Sequence, residues 1–463
     1  MMSFKSIYEN YEKYIEKKLS LPLLKHSQIK NLIESLKEKN NVSVELAGYS
    51  IEGREIYSIS LGEGNICVLA WSQMHGDEPT ATATIFDLIN FFLEDDEYKH
   101  EKEMILNKLK IFFIPMLNPD GAEKFQRENS LNIDLNRDAI RCESYESKIL
   151  WDIANRIKPK FAFNLHDQNN YYTAGRSNNL AAISMLAPPS DFDKSITETR
   201  KISMKLIVKI SEILKEFIPF NIARYDDDHE PRSFGDNFTK TGISSILIES
   251  GFLREDPTKT KIRKLNFISL LSAFYFIATE KFNESNYLDY FSIPENNQLL
   301  FDLLLRNLKI KKNDNSFTVD IGINRERKYD SETNNFYFVG KIKEIGDLSI
   351  KFGIEEYILD GYNVDVTKIY SATEQMDFEK LQYKSLLSAG YGYIRFNNKF
   401  TKDYINLPIN MLCYDNYKPQ LAVDEYANLI ISKGKDKTYI VINGFFQILN
   451  DSETRILNSL IIH

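Results

Sequence analysis

Along the chain, short apolar runs alternate with polar, turn-forming clusters. Four of these runs read as buried strands that end in polar residues: Ile66 to Trp71 ahead of His75, Ile111 to Pro115 ahead of Asn118-Pro-Asp-Gly121, Phe161 to Leu165 ahead of His166, and Ser245 to Ile248 ahead of Glu249. Runs this short, bounded by turn signals, suit interior strands of a sheet covered by helices. Helical spacing appears in Ile7, Tyr8, Tyr11, Tyr14 and Ile15, and again in Ile29, Leu32, Ile33 and Leu36, predicting two amino-terminal helices. Further helices are predicted by Ile85, Leu88, Ile89 and Phe92, by Leu206, Ile210, Ile213, Leu214 and Phe217, and by Leu265 to Ala278. Pro79 suits the first turn of the helix that follows Glu78. Val42 to Leu46, Gly48 to Arg54 and Ile56 to Leu61 read as strand, turn, strand at the edge of the sheet.

The pattern changes near residue 285. Leu299 to Leu305, Phe317 to Ile323, Phe336 to Ile345, Asn363 to Tyr370, Tyr393 to Phe396, Leu429 to Ser432 and Tyr439 to Phe446 are β-branched and aromatic runs separated by Asn, Asp, Gly and Lys. A chain of 463 residues is long for one domain. The expected division is an α/β unit over 1–285 and a mainly β accessory region over 286–463. The accessory region has no histidine before His463 and no other cluster of metal ligands.

Ligands of open α/β sheets gather beyond the carboxyl ends of the strands, so the four polar strand ends are expected to converge on one crevice. They bring together His75, Glu78 and His166. Two imidazoles and one carboxylate with a fourth position open are what a catalytic zinc needs. With six histidines in the chain, a lone His-x-x-Glu would say little; its place at a strand end gives it weight.

Composition and charge narrow the function classes. Apolar residues at 43% and charged residues at 27% are ordinary globular values. The net charge is −8 and no long basic block occurs, which argues against nucleic acid as a partner. Lys309 to Lys312 reads as a solvated strand edge. Cys67, Cys142 and Cys413 lie too far apart for a zinc ribbon and suggest no disulfide framework; Cys67, inside an apolar run, is expected in the core. No stretch of about 18 apolar residues occurs, and the first residues lack an apolar signal segment, so the expectation is a cytoplasmic protein without a membrane partner.

His-x-x-Glu, Asn118-Pro-Asp-Gly121, Arg127-x-Asn129, Asp134-Leu-Asn-Arg137, a later strand-end His166 and a still later strand-end Glu249 occur in that order. This ordered set resembles the zinc carboxypeptidases of the M14 (funnelin) family, in texture the bacterial, signal-less members. Gly48-x-Ser-x-Glu-Gly-Arg54 resembles their first hairpin, and the likeness covers roughly residues 25 to 280. The resemblance implies a mixed central β-sheet flanked by helices, and one Zn2+ per chain held by His75, Glu78 and His166. It implies that Asp134 orients His75, that Glu249 is the general base, and that Arg127 stabilises the developing oxyanion. Asn136 and Arg137 would hold the substrate's terminal carboxylate.

Four features depart from the pattern or leave it open. Tyr225 is a possible counterpart of the substrate-covering tyrosine, and His229 or Arg232 could also face substrate. Asp138 stands where Asn is common. Asp167 reads equally as a support for His166 or as a turn residue, and the acidic run Asp226 to Asp228 reads as a solvated loop ahead of its alternative, a contact for basic substrate side chains. The leading expectation is a metallocarboxypeptidase that removes a carboxy-terminal residue from a peptide or peptidoglycan-type fragment with a free carboxylate. The alternatives are a zinc-dependent deacylase of N-acyl amino acids, like the desuccinylase and aspartoacylase group, and a catalytically silent peptide-binding relative.

Overall fold

The computed structural model describes residues 2–372, 381–396, 402–413, 416–434, 436–449 and 459–462. His463 lies outside the described residues. Two compact units divide the chain, Met1–Gln298 and Leu299–His463.

In the first unit, helices α1 (Phe4–Glu9) and α2 (His26–Leu36) precede the hairpin of β1 (Ser43–Tyr49) and β2 (Glu55–Leu61). Then come β3 (Ile66–Ser72), α3 (Thr80–Leu93), α4 (Lys99–Lys108), β4 (Leu109–Ile114), α5 (Pro119–Lys124) and α6 (Tyr145–Ile157). After β5 (Phe161–Asp167), β6 (Tyr172–Ala174) and β7 (Ile183–Leu186) follow α7 (Glu198–Leu214), β8 (Ile222–Arg224), α8 (Phe234–Lys240), β9 (Ser244–Ser250) and α9 (Thr260–Thr279). Eight strands form one mixed sheet in the order β1-β2-β4-β3-β5-β9-β7-β8. Its centre, β4-β3-β5-β9, is parallel, so the four predicted strand ends lie side by side at one edge.

Both faces of that centre are covered, which is why its strands are apolar throughout rather than alternating. Successive residues of β3 enter opposite cores. Val68 and Ala70 pack with residues of α3, α7 and α9, whereas Leu69 and Trp71 pack with residues of α6 and α8. Cys67, expected in the core, is only half-buried, because it precedes the fully covered part of the strand.

The first predicted helix is shorter than its apolar spacing suggests. Asn10 ends α1 by donating from its side-chain amide to the Ser6 carbonyl, 2.9 Å, and a 3-10 turn carries Tyr11 to Lys13. The aromatics are drawn to buried acceptors instead: the Tyr11 hydroxyl donates to Asp87 at 2.5 Å and the Tyr14 hydroxyl to Asp96 at 2.8 Å. Asp87 is fully buried and also accepts from Arg263 Nε and Nη2 at 2.7 and 2.6 Å. This ion pair ties α3 to α9 and to the amino-terminal segment. The first unit also runs past residue 285 to Gln298. Buried Tyr290 accepts from the Ala187 N–H at 3.2 Å, and a strand over Asn296–Gln298 pairs with β6.

The second unit is mainly β. Its larger sheet is built on Leu300–Lys312, Asn315–Asp330 and Asn335–Gly346, paired in antiparallel register. Lys309 to Lys312 form the far, mostly exposed end of the first of these strands. Tyr439 to Phe446, which reads as one strand, is two, Asp436–Ile442 and Phe445–Ile448. Asn443 and Gly444, both at positive φ, form the tight turn between them. No helix among the described residues is long and apolar enough to cross a membrane.

Replacing Asp87 with Ala leaves the Arg263 charge buried without its partner. The expected loss is about 3–5 kcal/mol in denaturant unfolding; a loss under about 1 kcal/mol, the range of a surface pair, would contradict the structural role given to this ion pair.

Candidate metal centre

Two loops build the site by locking onto each other. Beyond β3 the chain turns through Gln73, at positive φ, and its backbone carbonyls accept from the loop after β4. Leu117 N–H donates to the Ser72 carbonyl at 3.1 Å and Asn118 N–H to the Gln73 carbonyl at 3.0 Å. Asn118 caps α5, its Oδ1 accepting from Gly121 N–H at 2.9 Å, and its Nδ2 donates to the Met74 carbonyl at 3.2 Å. Pro119 follows at the first helical position, where its missing N–H costs nothing.

Asp120 reaches the other way and fixes the hairpin between β1 and β2. It accepts from the Ser50 hydroxyl, Glu52 N–H and Arg54 Nη1 at 2.7, 2.9 and 2.6 Å. Gly121 and Gly76 meet backbone to backbone: a Cβ on Gly76 would stand 2.0 Å from the carbonyl carbon of Gly121. The His-Gly-Asp-Glu and Asn-Pro-Asp-Gly segments are therefore two halves of one support.

On that support His75, Glu78 and His166, all buried, bring one donor atom each to within 4.8 Å of one another. Glu78 lies between the imidazoles, Oε1 2.8 Å from His75 Nδ1 and Oε2 2.7 Å from His166 Nδ1. The two Nδ1 atoms are 3.1 Å apart. His75 Nε2 faces Asp134 Oδ1 at 3.1 Å, which holds the ring with its proton on Nε2 and leaves the Nδ1 lone pair toward the cluster. Asp167 N–H donates to Glu78 Oε2 at 3.1 Å. These buried nitrogen and carboxylate donors suit a divalent ion such as zinc.

The charges within the cluster are coupled. Burial disfavours a charged His75, but the Glu78 carboxylate and the bonds to Asp134 and Glu78 outweigh it, raising its pKa to about 9. Burial holds His166 below its usual value despite Glu78. Glu78 stays ionised: burial opposes its charge, yet the two histidines carry its pKa well below the ordinary carboxylate range.

Glu249 lies beside His166 in the register of β5 and β9, so both side chains leave the same face of the sheet. Burial, then the charge of Glu78, pushes its pKa well up, and its Oε2 has no hydrogen-bond partner among the described residues. Arg127 binds Asp134 through Nε and Nη2, both at 3.0 Å, and places Nη1 3.1 Å from His75 Nδ1. Tyr225 follows β8; the charge of Glu249, then burial, holds its hydroxyl pKa up, which places the ring near that carboxylate.

The other residues singled out in the sequence are placed differently. Asn136 is buried, and its Oδ1 accepts from Phe234 N–H at 3.1 Å, holding the start of α8 and leaving its Nδ2 without a partner among the described residues. Arg137 is exposed, pairing with Glu230 at 3.1 Å. His229 binds Asp236 at 2.8 Å and packs edge-on to Phe192, and Arg232 pairs with Glu230 at 2.7 Å. Asp138 explains itself locally, accepting from Glu143 N–H, Ser144 N–H and the Ser144 hydroxyl ahead of α6. The acidic run is tied down, with Asp227 bound by Lys194 and Arg200 and Asp228 by Lys194.

Three neighbours escaped sequence reasoning. Lys259 donates to Asp167 Oδ2 at 3.1 Å, as does the Thr80 hydroxyl at 2.6 Å, so Asp167 is a braced residue rather than a bare turn. Tyr172 stacks obliquely on Tyr225 with centroids 6.3 Å apart. Asp77 is half-buried, its enclosed Oδ1 has no partner among the described residues, and its pKa is raised to about 6 by burial and then by Glu78. Asp77 adjoins the motif itself, so its position was readable; nothing in the spacing marks Lys259.

A parallel sheet centre whose strand ends carry a buried His-Glu-His cluster, with the Glu249 carboxylate on the neighbouring strand, makes this an α/β unit with a candidate metal site. The sequence model of the zinc carboxypeptidases, Peptidase_M14, matches residues 29–197, a span that holds all three members of the cluster but not Tyr225 or Glu249. Over this stretch the chain is similar in sequence to the M14 zinc carboxypeptidases. Among curated relatives, the probable carboxypeptidase 2 of Arthroderma benhamiae is 28% identical over 138 residues, 28% of this chain and 25% of that protein. Carboxypeptidase D of Homo sapiens is 29% identical over 106 residues, 19% of this chain and 8% of that protein. The chain thus spans a quarter or less of the length of these relatives. A solved metallo-carboxypeptidase from Burkholderia cenocepacia superposes with a TM-score of 0.46 and 16% identity, over 56% of this chain and 70% of that one.

His75→Ala is expected to lower retained metal sharply while leaving the melting transition near that of the native protein, since it removes one donor and no backbone support. Gly76→Ala forces backbone against backbone and is expected to lose metal and about 1–3 kcal/mol of stability together. Full metal content in His75→Ala, read by elemental analysis after dialysis, would undo the ligand assignment.

Proposed function

We propose that the first unit is a zinc-dependent carboxypeptidase, with one zinc per chain held by His75, Glu78 and His166, which hydrolyses the carboxy-terminal amide bond of a peptide or peptidoglycan-type fragment. The observation that carries this reading is the buried carboxylate of Glu249, its Oε2 without a partner among the described residues, on the same sheet face as His166 of the His-Glu-His cluster. Zinc in such a site supplies Lewis-acid polarisation of the scissile carbonyl and makes water more acidic.

The chain's own groups account for the remaining needs. Glu249, its proton affinity raised by burial and by Glu78, accepts a proton from the attacking water and passes it to the departing amine nitrogen. Atoms balance: the water oxygen joins the carbonyl carbon, the C–N bond breaks, and the proton leaves on the amine. Arg127 Nη1, held near the cluster while Nε and Nη2 grip Asp134, donates to the negative charge that develops on the carbonyl oxygen. Arg137 and the Asn136 Nδ2 receive the terminal carboxylate. Tyr225 covers the substrate beside Glu249. Asp134 serves both sides, orienting His75 and fixing Arg127, so its loss is expected to weaken metal retention as well as turnover.

The direct test incubates zinc-loaded protein with a mixture of free-carboxylate peptides and N-acyl amino acids, with and without chelator, and reads products by mass spectrometry. Chelator-sensitive loss of single carboxy-terminal residues is expected; release of acyl groups alone would overturn the peptidase reading. In the same assay Glu249→Gln is expected to keep its metal and lose at least about 100-fold in kcat. Turnover within a few-fold of native would remove Glu249 from the role of base.

A further inference from the structure

Beside Asp134 and the short helical turn at Leu135–Arg137, an open cavity of about 440 Å3 is lined by Ile133, Arg137, Ile140, Arg141 and Arg232, with Asp134 and Asp138. Its carboxylates are already engaged by the protein. Asp134 accepts from His75, Asn136 N–H and Arg127, and Asp138 accepts from the Glu143 and Ser144 amides and the Ser144 hydroxyl. Its guanidiniums are not fully engaged. Glu230 takes Nε and Nη2 of Arg232 and pairs with Arg137 Nε, and Arg137 Nη1 donates to the Asn136 carbonyl. Arg137 Nη2 and Arg232 Nη1 have no partner among the described residues, and neither does any nitrogen of Arg141.

Three guanidiniums with spare donors and two isoleucine walls are chemistry for an acidic group on a short aliphatic stem. We infer that this cavity receives the side chain of the substrate's last residue and selects glutamate or aspartate, with Arg141 and Arg232 facing the side-chain carboxylate. The inference rests on the carboxypeptidase reading, in which Arg137 holds the α-carboxylate. A lysine or arginine side chain would meet like charge, and an uncharged one would leave the spare donors unused. The two loops that contribute the arginines are joined, Ala139 N–H donating to the Arg232 carbonyl at 3.1 Å, so the subsite is anchored to the same support that fixes Asn136. Arg141 is a specificity residue, and its exposure and lack of partners mean that replacing it disturbs no internal bond.

The test uses four peptides that differ only in the last residue, Glu, Gln, Leu or Lys, with the full-length zinc-loaded protein. We expect kcat/KM for the Glu peptide to exceed that for the Gln peptide by about tenfold, with the Lys peptide poorest. The Glu-over-Gln ratio should shrink with added salt, because the cavity is open to solvent. Arg141→Gln should collapse that ratio, and Arg141→Glu should favour the Lys peptide over the Glu peptide. Binding of the same peptides to Glu249→Gln, followed by calorimetry, separates this inference from the reading it rests on. Glu-selective binding without hydrolysis by the native protein keeps the subsite and overturns the peptidase. Equal or better use of Leu or Lys peptides, or a Glu-over-Gln ratio indifferent to Arg141, overturns the subsite alone. No binding of any of the four overturns both.

Discussion

The structure turns on a concentration of buried negative charge. Glu78 and Glu249 are both buried in one crevice, with Asp134 and Asp77 around them, and Arg127 reaches in from the rim. Burial of ionised groups is costly unless they are paired, and Arg127 and His75 together offer two positive charges against four carboxylates. The protein's response is uneven: Glu78 stays ionised between two imidazoles, whereas Glu249 is driven toward its neutral form. A divalent ion on the His-Glu-His cluster would relieve the imbalance and would leave Glu249 as the group whose proton is easiest to move. Pairs of titratable groups pushed apart in this way are where acid-base roles are found.

The fold delivers that arrangement through loops rather than through the strands alone. Parallel pairing of β4, β3, β5 and β9 brings four strand ends together, but the precision comes from the interlock of Gly76 with Gly121 and from Asn118 and Asp120 reaching to either side. Asp120 connects the first hairpin to the metal loops, which gives a physical reason for the Ser-x-Glu-Gly-Arg segment to accompany the ligands. Asp134 connects the ligands in turn to Arg127 and to the turn that carries Asn136 and Arg137.

Much of this was legible in the chain, because buried strands of a covered sheet are short uninterrupted apolar runs and site residues cluster just beyond them. The central strands, the hairpin and the helices α2, α3, α7 and α9 follow from period alone. Elements with weak apolar patterning did not: α4 is mostly charged, and the strand Phe352–Ile358 carries two glutamates and exposes its end. Tyr11 and Tyr14 kept a helical period but were drawn away by buried carboxylates, a tertiary preference that spacing does not report. Asp138, which stands where Asn is common, accepts from the Glu143 and Ser144 amides and the Ser144 hydroxyl, bonds that spacing does not report. The arginine-lined cavity combines Arg137 and Arg141 with Arg232 from a distant loop, which only folding brings together.

The most direct measurement of the central claim is X-ray absorption at the zinc edge on the purified, zinc-loaded chain. The account predicts one zinc with nitrogen and oxygen neighbours only, at roughly 2.0–2.2 Å, and an imidazole signature for two histidines. A sulfur shell at roughly 2.3 Å, a single histidine, or an ion with six oxygen ligands would contradict it.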